Sequence, residues 1–332
     1  MTQDTHKLTR LADDALLAPY MDIIRRRSDQ AVRIEQQLTG AGGDLADFAR
    51  GHEHFGMHRA GGGWIFREWA PGAEAVFLIG DLSAWSGSEE FRLYPSGGEG
   101  QWEVSLSDHV LRHGGLYRLK VHHGGRQLDR IPAWARRVVQ DESTKIFNAQ
   151  HWAPEDGFAW RYESPERPEF PLVYEAHVGM AQELWRVGTY DEFRANILPR
   201  IARAGYNTVQ LMAVMEHPYY GSFGYQVSSF FAASSRFGTP DDLKALIDAA
   251  HGMGLRVIMD LVHSHTAGNE VEGISRFDGT EHQYCHAGAR GRHEAWGSRC
   301  FDYGKPEVLH FLLSNCRFWL EEYHVDGFRF DG

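Results

Sequence analysis

The spacing of apolar and polar positions changes character twice along the chain. Over the first fifty residues it is helical. "LADDALLAPYMDIIRRRSDQAVRIEQQL" is rich in helix formers, is interrupted at Pro19, and ends in the glycine-rich stretch 40–43. This predicts a docking pair of helices over residues 1–50. From 51 to about 150 the period falls to two. In "QWEVSL", Trp102, Val104 and Leu106 share one face; in "LYRLKVH", Tyr117, Leu119 and Val121 do the same. "WIFREWAPGAEAVFLIGD" adds two more strands around a Pro-Gly turn. Short alternating strands between glycine-rich turns predict a small β-sandwich over 51–150. Pro154, Pro165, Pro168 and Pro171 then mark a surface-packed linker over 151–171.

From Leu172 apolar strands alternate with amphipathic helices. "LVYEAHV", "NTVQLM", "LRVIMDLVH" and "VDGFRFD" read as buried strands. Between them, Thr189 with Glu192 forms a capping box, and Phe193, Ile197 and Ile201 share a helical face. Thr239 caps a second helix with Pro240 at its first position, and "KPEVLHFLLSNCRFWLEEYH" is a third. Strand–helix alternation predicts a parallel sheet covered by helices over 172–332. Either a doubly wound sheet or a (β/α)8 barrel satisfies the pattern.

In both architectures reactive groups gather at the C-terminal ends of the strands. The third strand ends in Asp260, followed by His263 and His265; the fourth ends in Arg329 and Asp331. Strand alternation puts Val325, Gly327, Arg329 and Asp331 on one face and Asp326 on the other. Arg329 placed between Asp260 and Asp331 would keep Asp331 ionised, as nucleophilic attack on an anomeric carbon requires. A purely structural ion pair between strands is the competing reading. The "HSH" tripeptide, and Cys285 and Cys300 near His286 and His293, lack the ligand spacing of a metal site.

Composition narrows the partners. A formal net charge of -11 argues against nucleic acid or an anionic membrane as partner. Ten Trp in the chain suit either large cores or flat sugar faces. No apolar run reaches the roughly 18 residues that span a bilayer. Three cysteines in so long a chain, with no signal-peptide pattern in "MTQDTHKLTRLADDALLAPY", predict a cytoplasmic protein.

Several long segments, in order, carry a resemblance. "DLVHSH" and "GFRFD" resemble the first two signature regions of the α-amylase superfamily, glycoside hydrolase family 13. "YEAHVG", "GYNTVQLMAVMEHPYYGSFGYQVSSFFAASSRFGTPDDLK", "RGRHEAWGSRCFDYGKPEVLHFLLSN" and "WLEEYHVDGFRFDG" are similar, more narrowly, to the eukaryotic-type 1,4-α-glucan branching enzymes. "REWAPGAEAVFLIGDLSAWS" and "DRIPAWARRVVQD" resemble that family's carbohydrate-binding module of family 48. The likeness runs from about residue 50 to the end.

The resemblance implies an immunoglobulin-like sandwich followed by the first half of a (β/α)8 barrel. It implies transfer of an α-1,4-glucan segment to a 6-hydroxyl of a glycogen-like polysaccharide, through a covalent glucosyl-enzyme, without organic cofactor or metal. By matching position, Asp331 is the nucleophile and Arg329 holds its charge. Tyr225 stacks on the glucose at the cleavage site, and Asp260 and His265 complete that subsite. Trp85 and Trp102 are candidate glucan contacts in the sandwich, Trp102 being equally a core residue. Ser264, where many amylases have an Asn at a calcium site, implies no calcium. The family's acid–base Glu lies on the fifth barrel strand. The chain supplies four strands, so it is expected not to complete the reaction alone. Another amylase-superfamily hydrolase or debranching enzyme, or a non-catalytic glucan-binding protein, are the alternatives; "YEAHVG" and "MEHPYYGSFGYQ" speak against the first.

Overall fold

The structure is a computed structural model that describes Leu11, residues 13–40 and residues 42–332. Two compact units meet in sequence at Arg50 and Gly51. In the first, a 3-10 turn at Ala18–Tyr20 leads into α1 (Met21–Thr39), which stops at Gly40 with φ 70°. A single turn, α2 (Leu45–Phe48), is capped by the Asp44 side chain. Among the described residues α1 is the one long helix of this unit. Pro19 opens it instead of breaking it, because the first turn has no use for the N–H that proline lacks. Residues 1–10 of the expected pair lie outside the described residues.

The second unit begins with the short turn α3 (Gly51–His54), then nine strands. These are β1 (Gly56–Ala60), β2 (Gly63–Trp69), β3 (Ala75–Gly80), β4 (Arg92–Pro95), β5 (Gln101–Ser107), β6 (Leu116–His123), β7 (Arg126–Arg130), β8 (Val138–Gln140) and β9 (Phe147–Gln150). They pair in the order β1-β2-β5-β4-β3-β6-β9-β8, with β7 added to β6. Strand β4 belongs to both layers: Leu93 faces Val76 of β3, and Pro95 faces Trp102 of β5. The period-two pattern of β5 buries Trp102, Val104 and Leu106 together with Phe66, Leu78, Leu119 and Val121. The segment 151–171 has no regular structure, yet it is fastened. The backbone N–H groups of Arg161 and Tyr162 donate to the buried Asp248 carboxylate at 2.8 and 3.0 Å.

The remaining residues form strand–helix units. Strand β10 (Val173–Ala176) precedes α4 (190–203), whose middle turn, Phe193–Ile197, is π-wound. Then come β11 (Thr208–Leu211), the hairpin β12 (Met215–Glu216) and β13 (Ser229–Ala233), α5 (Pro240–Gly252) and β14 (Arg256–Leu261). A small sheet of β15 (His265–Ala267), β16 (Arg292–His293) and β17 (Ser298–Cys300) follows, then α6 (Pro306–Glu322) and β18 (Gly327–Phe330). Both expected capping boxes are present, Thr189 with Glu192 and Thr239 with Asp242.

The parallel sheet runs β10-β11-β14-β18, in chain order. A doubly wound sheet reverses its strand order at a switch point, whereas a barrel does not. The order therefore selects the barrel, of which four strands are present. Its outer strands each have one partner, and Val173, Tyr174 and Phe330 at these edges stay exposed. Asp326, at the entry to β18, faces away from the barrel interior as alternation requires. It is buried and accepts from the Val257 N–H at 2.6 Å, from His251 Nε2 at 3.0 Å and from Ser164. These contacts tie β18 to β14, α5 and the linker at the end opposite the reactive groups.

Candidate functional site

Parallel pairing of β14 with β18 sets Asp260 directly opposite Arg329. The Asp331 N–H continues the ladder to the Leu261 carbonyl at 2.9 Å. Arg329 and Asp331, two residues apart, lean to the same side, and Arg329 Nη1 donates to Asp331 Oδ1 at 2.5 Å and to Asp260 Oδ2 at 3.1 Å. One cation thus sits between two carboxylates of unequal exposure. Asp260 is fully buried, while Asp331 keeps a quarter of its side chain open.

Asp260 has two further donors. Tyr225 Oη donates to Oδ2 at 2.6 Å and Gln210 Nε2 to Oδ1 at 2.8 Å. Gln210 Nε2 also reaches Glu175 Oε1 on β10 at 3.0 Å, so one amide bridges carboxylates on two strands. Burial raises the proton affinity of the Asp260 carboxyl above the ordinary carboxylate range, against the opposing pull of Tyr225, Arg329 and Gln210. Burial, then the bond to Asp260, pushes the Tyr225 phenol well above its usual value, so it stays a proton donor. Tyr225 owes its position to Gly224, with φ 93°, where an added Cβ would lie 1.9 Å from the Ala213 carbonyl oxygen.

In front of Asp331 lies a cavity of about 530 Å³, lined among others by Tyr219, Tyr225, His265, Asn269, Trp296 and Asp331. His265 Nε2 meets the Tyr225 carbonyl at 3.1 Å, and its Nδ1 meets Ser264 Oγ at 2.9 Å. Burial lowers its pKa, which favours the neutral imidazole. Trp296 lies 5.2 Å from the His265 ring and stacks on His293 at 4.0 Å. Trp296 and Tyr219 are otherwise exposed, so the cavity presents two aromatic surfaces beside the Asp331 carboxyl group. Such a mixture suits a polyhydroxylated ring with apolar C–H faces.

The structure brings Tyr225, Asp260, His265, Arg329 and Asp331 together. The sandwich tryptophans are separate. Trp85 is exposed on the turn after β3, where it and Ala84 both have left-handed backbone, φ 61° and 48°. Its indole N–H donates to Asp81 at 3.2 Å. Trp102 is a core residue whose N–H is taken by the Ala70 carbonyl at 2.9 Å, so the packing reading describes it and its ring offers no open face. His263 turns away from the cavity to Asn315 Oδ1 at 2.8 Å. Burial pushes the Cys285 thiol up to about 12, the opposite of what a thiolate metal ligand needs. Sequence reasoning missed Gln210 and Trp296. Gln210 had a signal, a polar residue inside an apolar strand; Trp296 had none.

A barrel sheet with an aspartate two residues beyond an arginine on its fourth strand, before an aromatic cavity, and a β-sandwich ahead of it, defines a class. Protein-family models agree. Residues 54–135 match "Carbohydrate-binding module 48 (Isoamylase N-terminal domain)" and residues 196–286 match "Alpha amylase, catalytic domain". The chain thus carries a family 48 carbohydrate-binding module followed by part of an α-amylase catalytic domain.

Over nearly its whole length it is similar to proteins named 1,4-alpha-glucan-branching enzyme. It is 47% identical to the one of Yarrowia lipolytica, over 96% of this chain and 47% of that protein. It is 44% identical to the one of Dictyostelium discoideum, over 96% of this chain and 48% of that one. Among solved structures, a putative alpha amylase from Salmonella typhimurium superposes with TM-score 0.68 at 25% identity, covering 84% of this chain and 44% of its own. The chain spans about half the length of the curated relatives it matches.

Proposed function

We propose that this chain is the glucan-binding and nucleophile-bearing half of a 1,4-α-glucan branching enzyme of glycogen biosynthesis. The observation that carries the reading is the pairing of Arg329 with Asp331, 2.5 Å apart, at the mouth of the aromatic cavity. Asp331 attacks the anomeric carbon of an α-1,4-linked glucose and forms a covalent glycosyl ester. Tyr225 and His265 position that glucose, and Asp260 fixes Tyr225 and Arg329. The leaving oxygen takes its proton from a second carboxyl, which a retaining mechanism places about 5 Å from the first. A glucan 6-hydroxyl, rather than water, then attacks the ester, and an α-1,6 branch results. No step calls for a cofactor. The free thiols of Cys285, Cys300 and Cys316 support a reducing, cytoplasmic setting.

The test is complementation. The chain is co-expressed with the C-terminal half of the Yarrowia lipolytica relative and supplied with amylose. The expected result is falling iodine absorbance and new α-1,6 links without new reducing ends, abolished by Asp331→Asn. Release of reducing ends would make the parent activity hydrolytic. A stable complex that sediments with glycogen but leaves amylose unchanged would make the chain a binding protein.

A further inference from the structure

A second cavity, of about 240 Å³, lies in the sandwich and shares no lining residue with the cavity at Asp331. Its wall includes Trp64 of β2, Trp134 and Arg136 from the segment after β7, Arg59 of β1, and His151 and Trp152 just past β9. The indole N–H groups of Trp64, Trp134 and Trp152 are buried there without an acceptor. One such donor is an ordinary exception; three around one cavity are a shared deficit of acceptor atoms. The charges point the same way. No carboxylate lines the cavity. The Arg59 guanidinium lies 4.3 Å over the Trp64 ring and is paired with Asp108. Arg136 donates to the His52 carbonyl at 2.8 Å, and its ring neighbour is Phe318; among the described residues no carboxylate pairs with it. His151, held edge-on to Trp64 at 4.4 Å, is neutral because burial brings its pKa to about 4. In a chain with formal net charge -11, this is a local site of surplus donors and positive charge.

An occupant must therefore bring acceptor oxygens and negative charge. The indole faces are taken: Phe55 and Phe231 stack on Trp134, and Arg59 covers Trp64, so the tryptophans offer their N–H groups. Guanidinium forks suit a phosphate, and unpartnered N–H donors suit the hydroxyl oxygens of a sugar. We propose that this cavity binds a hexose phosphomonoester, with Arg59 and Arg136 taking the phosphate and the indole N–H groups the sugar oxygens. The site is distinct from the proposed catalytic cavity and stands whether or not the branching reading does.

The experiment titrates the 332-residue chain with glucose 6-phosphate, following tryptophan fluorescence, with glucose and inorganic phosphate as separate titrants. A saturable change is expected for glucose 6-phosphate, about tenfold tighter than for either fragment, and weakened about tenfold by Arg136→Gln. Arg136 also holds the His52 carbonyl, so a second variant is needed. Trp152→Phe keeps a ring and removes one N–H; it is expected to weaken binding about fivefold while the melting curve stays in place. No saturable response, or equal binding by wild type and both variants, overturns the proposal. Phosphate binding as tightly as the ester removes the hexose from it, and glucose binding as tightly removes the phosphate.

Discussion

Asp326 and Asp331 stand five positions apart in "HVDGFRFDG" and carry the same functional group, yet the same substitution in each has opposite expected outcomes. Asp326 is almost wholly buried and holds the Val257 N–H, His251 and Ser164, with Arg256 at 3.5 Å. Asp326→Asn keeps the shape and one acceptor oxygen: at the Oδ2 position it serves Val257 and His251 and turns the amide toward Ser164 and Arg256, and the reverse placement strands Val257 and His251. Losing a hydrogen bond to a buried charge costs about 1.5–3 kcal/mol, and the amide group facing the remaining donors adds to it. The expected loss is about 3 kcal/mol. At roughly 2 °C per kcal/mol for a unit of this size, that lowers Tm by about 6 °C. Asp331→Asn removes only a bond to Arg329, whose side chain is 44% exposed. Solvent screens such a pair to about 0–1 kcal/mol, so Tm moves by less than about 2 °C.

The assay is thermal unfolding followed by circular dichroism, repeated as a pH series. Burial works to raise the Asp326 pKa, but the hydrogen bonds from His251, Ser164 and Val257 outweigh it and hold the carboxyl below its ordinary value. A depressed carboxyl contributes stability that is present above the unfolded pKa, about 3.9, and is lost as pH falls through the folded value. The gap between wild type and Asp326→Asn is therefore widest near neutral pH and closes below about pH 4. Equal Tm values for the two variants at pH 7 would refute the division of β18 into an anchoring end and a reactive end.

Two further outcomes follow from buried groups in the sandwich. Glu68 is fully buried, with its oxygens on the Trp69 and Ala133 N–H groups, and burial pushes its pKa up to about 8. A raised carboxyl makes stability fall as pH rises from about 4.5 to about 8; Glu68→Gln should flatten that slope, and parallel pH profiles for the two proteins would contradict it. Trp102→Ala, which empties the core, should cost about 3–5 kcal/mol, whereas Trp85→Ala should leave Tm in place and weaken co-sedimentation with glycogen. Equal glycogen binding by wild type and Trp85→Ala would remove Trp85 from the glucan surface.

How much of the site was legible follows from the kind of contact each residue makes. Asp260, Arg329 and Asp331 were readable because strand alternation and parallel pairing are local rules, and charges inside apolar runs demand partners. The same rule reaches Gln210, a lone amide in "NTVQLM", whose partners Glu175 and Asp260 lie on the flanking strands. Tyr225 and His265 came only through resemblance, because a tyrosine after a glycine and one histidine of an "HSH" carry no periodic signal. Trp296 could not be read at all. It reaches the cavity because β15 pairs with β17, bringing His265 opposite Cys300 across 35 residues of chain. The Gln226 side chain also donates to the Trp296 carbonyl at 2.8 Å. Contacts of that length depend on the assembled sheet, not on any window of sequence.

Strand order also decides from where an acid can reach Asp331. On one side of β18 lies β14, and its carboxyl at the mouth is Asp260. Both Asp260 oxygens are engaged, by Tyr225, Arg329 and Gln210, and the side chain does not line the cavity. It is an acceptor fixed in place and is poorly set to deliver a proton. The other edge of β18 is unpaired. Paired strands lie about 4.8 Å apart, close to the roughly 5 Å that separates the two carboxyls of a retaining glycosidase. A carboxyl at the end of a strand added to that edge therefore falls at the working distance, and one arriving two strands away does not. The branching reading thus makes a geometric demand on whatever segment completes the site: it must pair with β18, in parallel, through the edge that Phe330 leaves exposed.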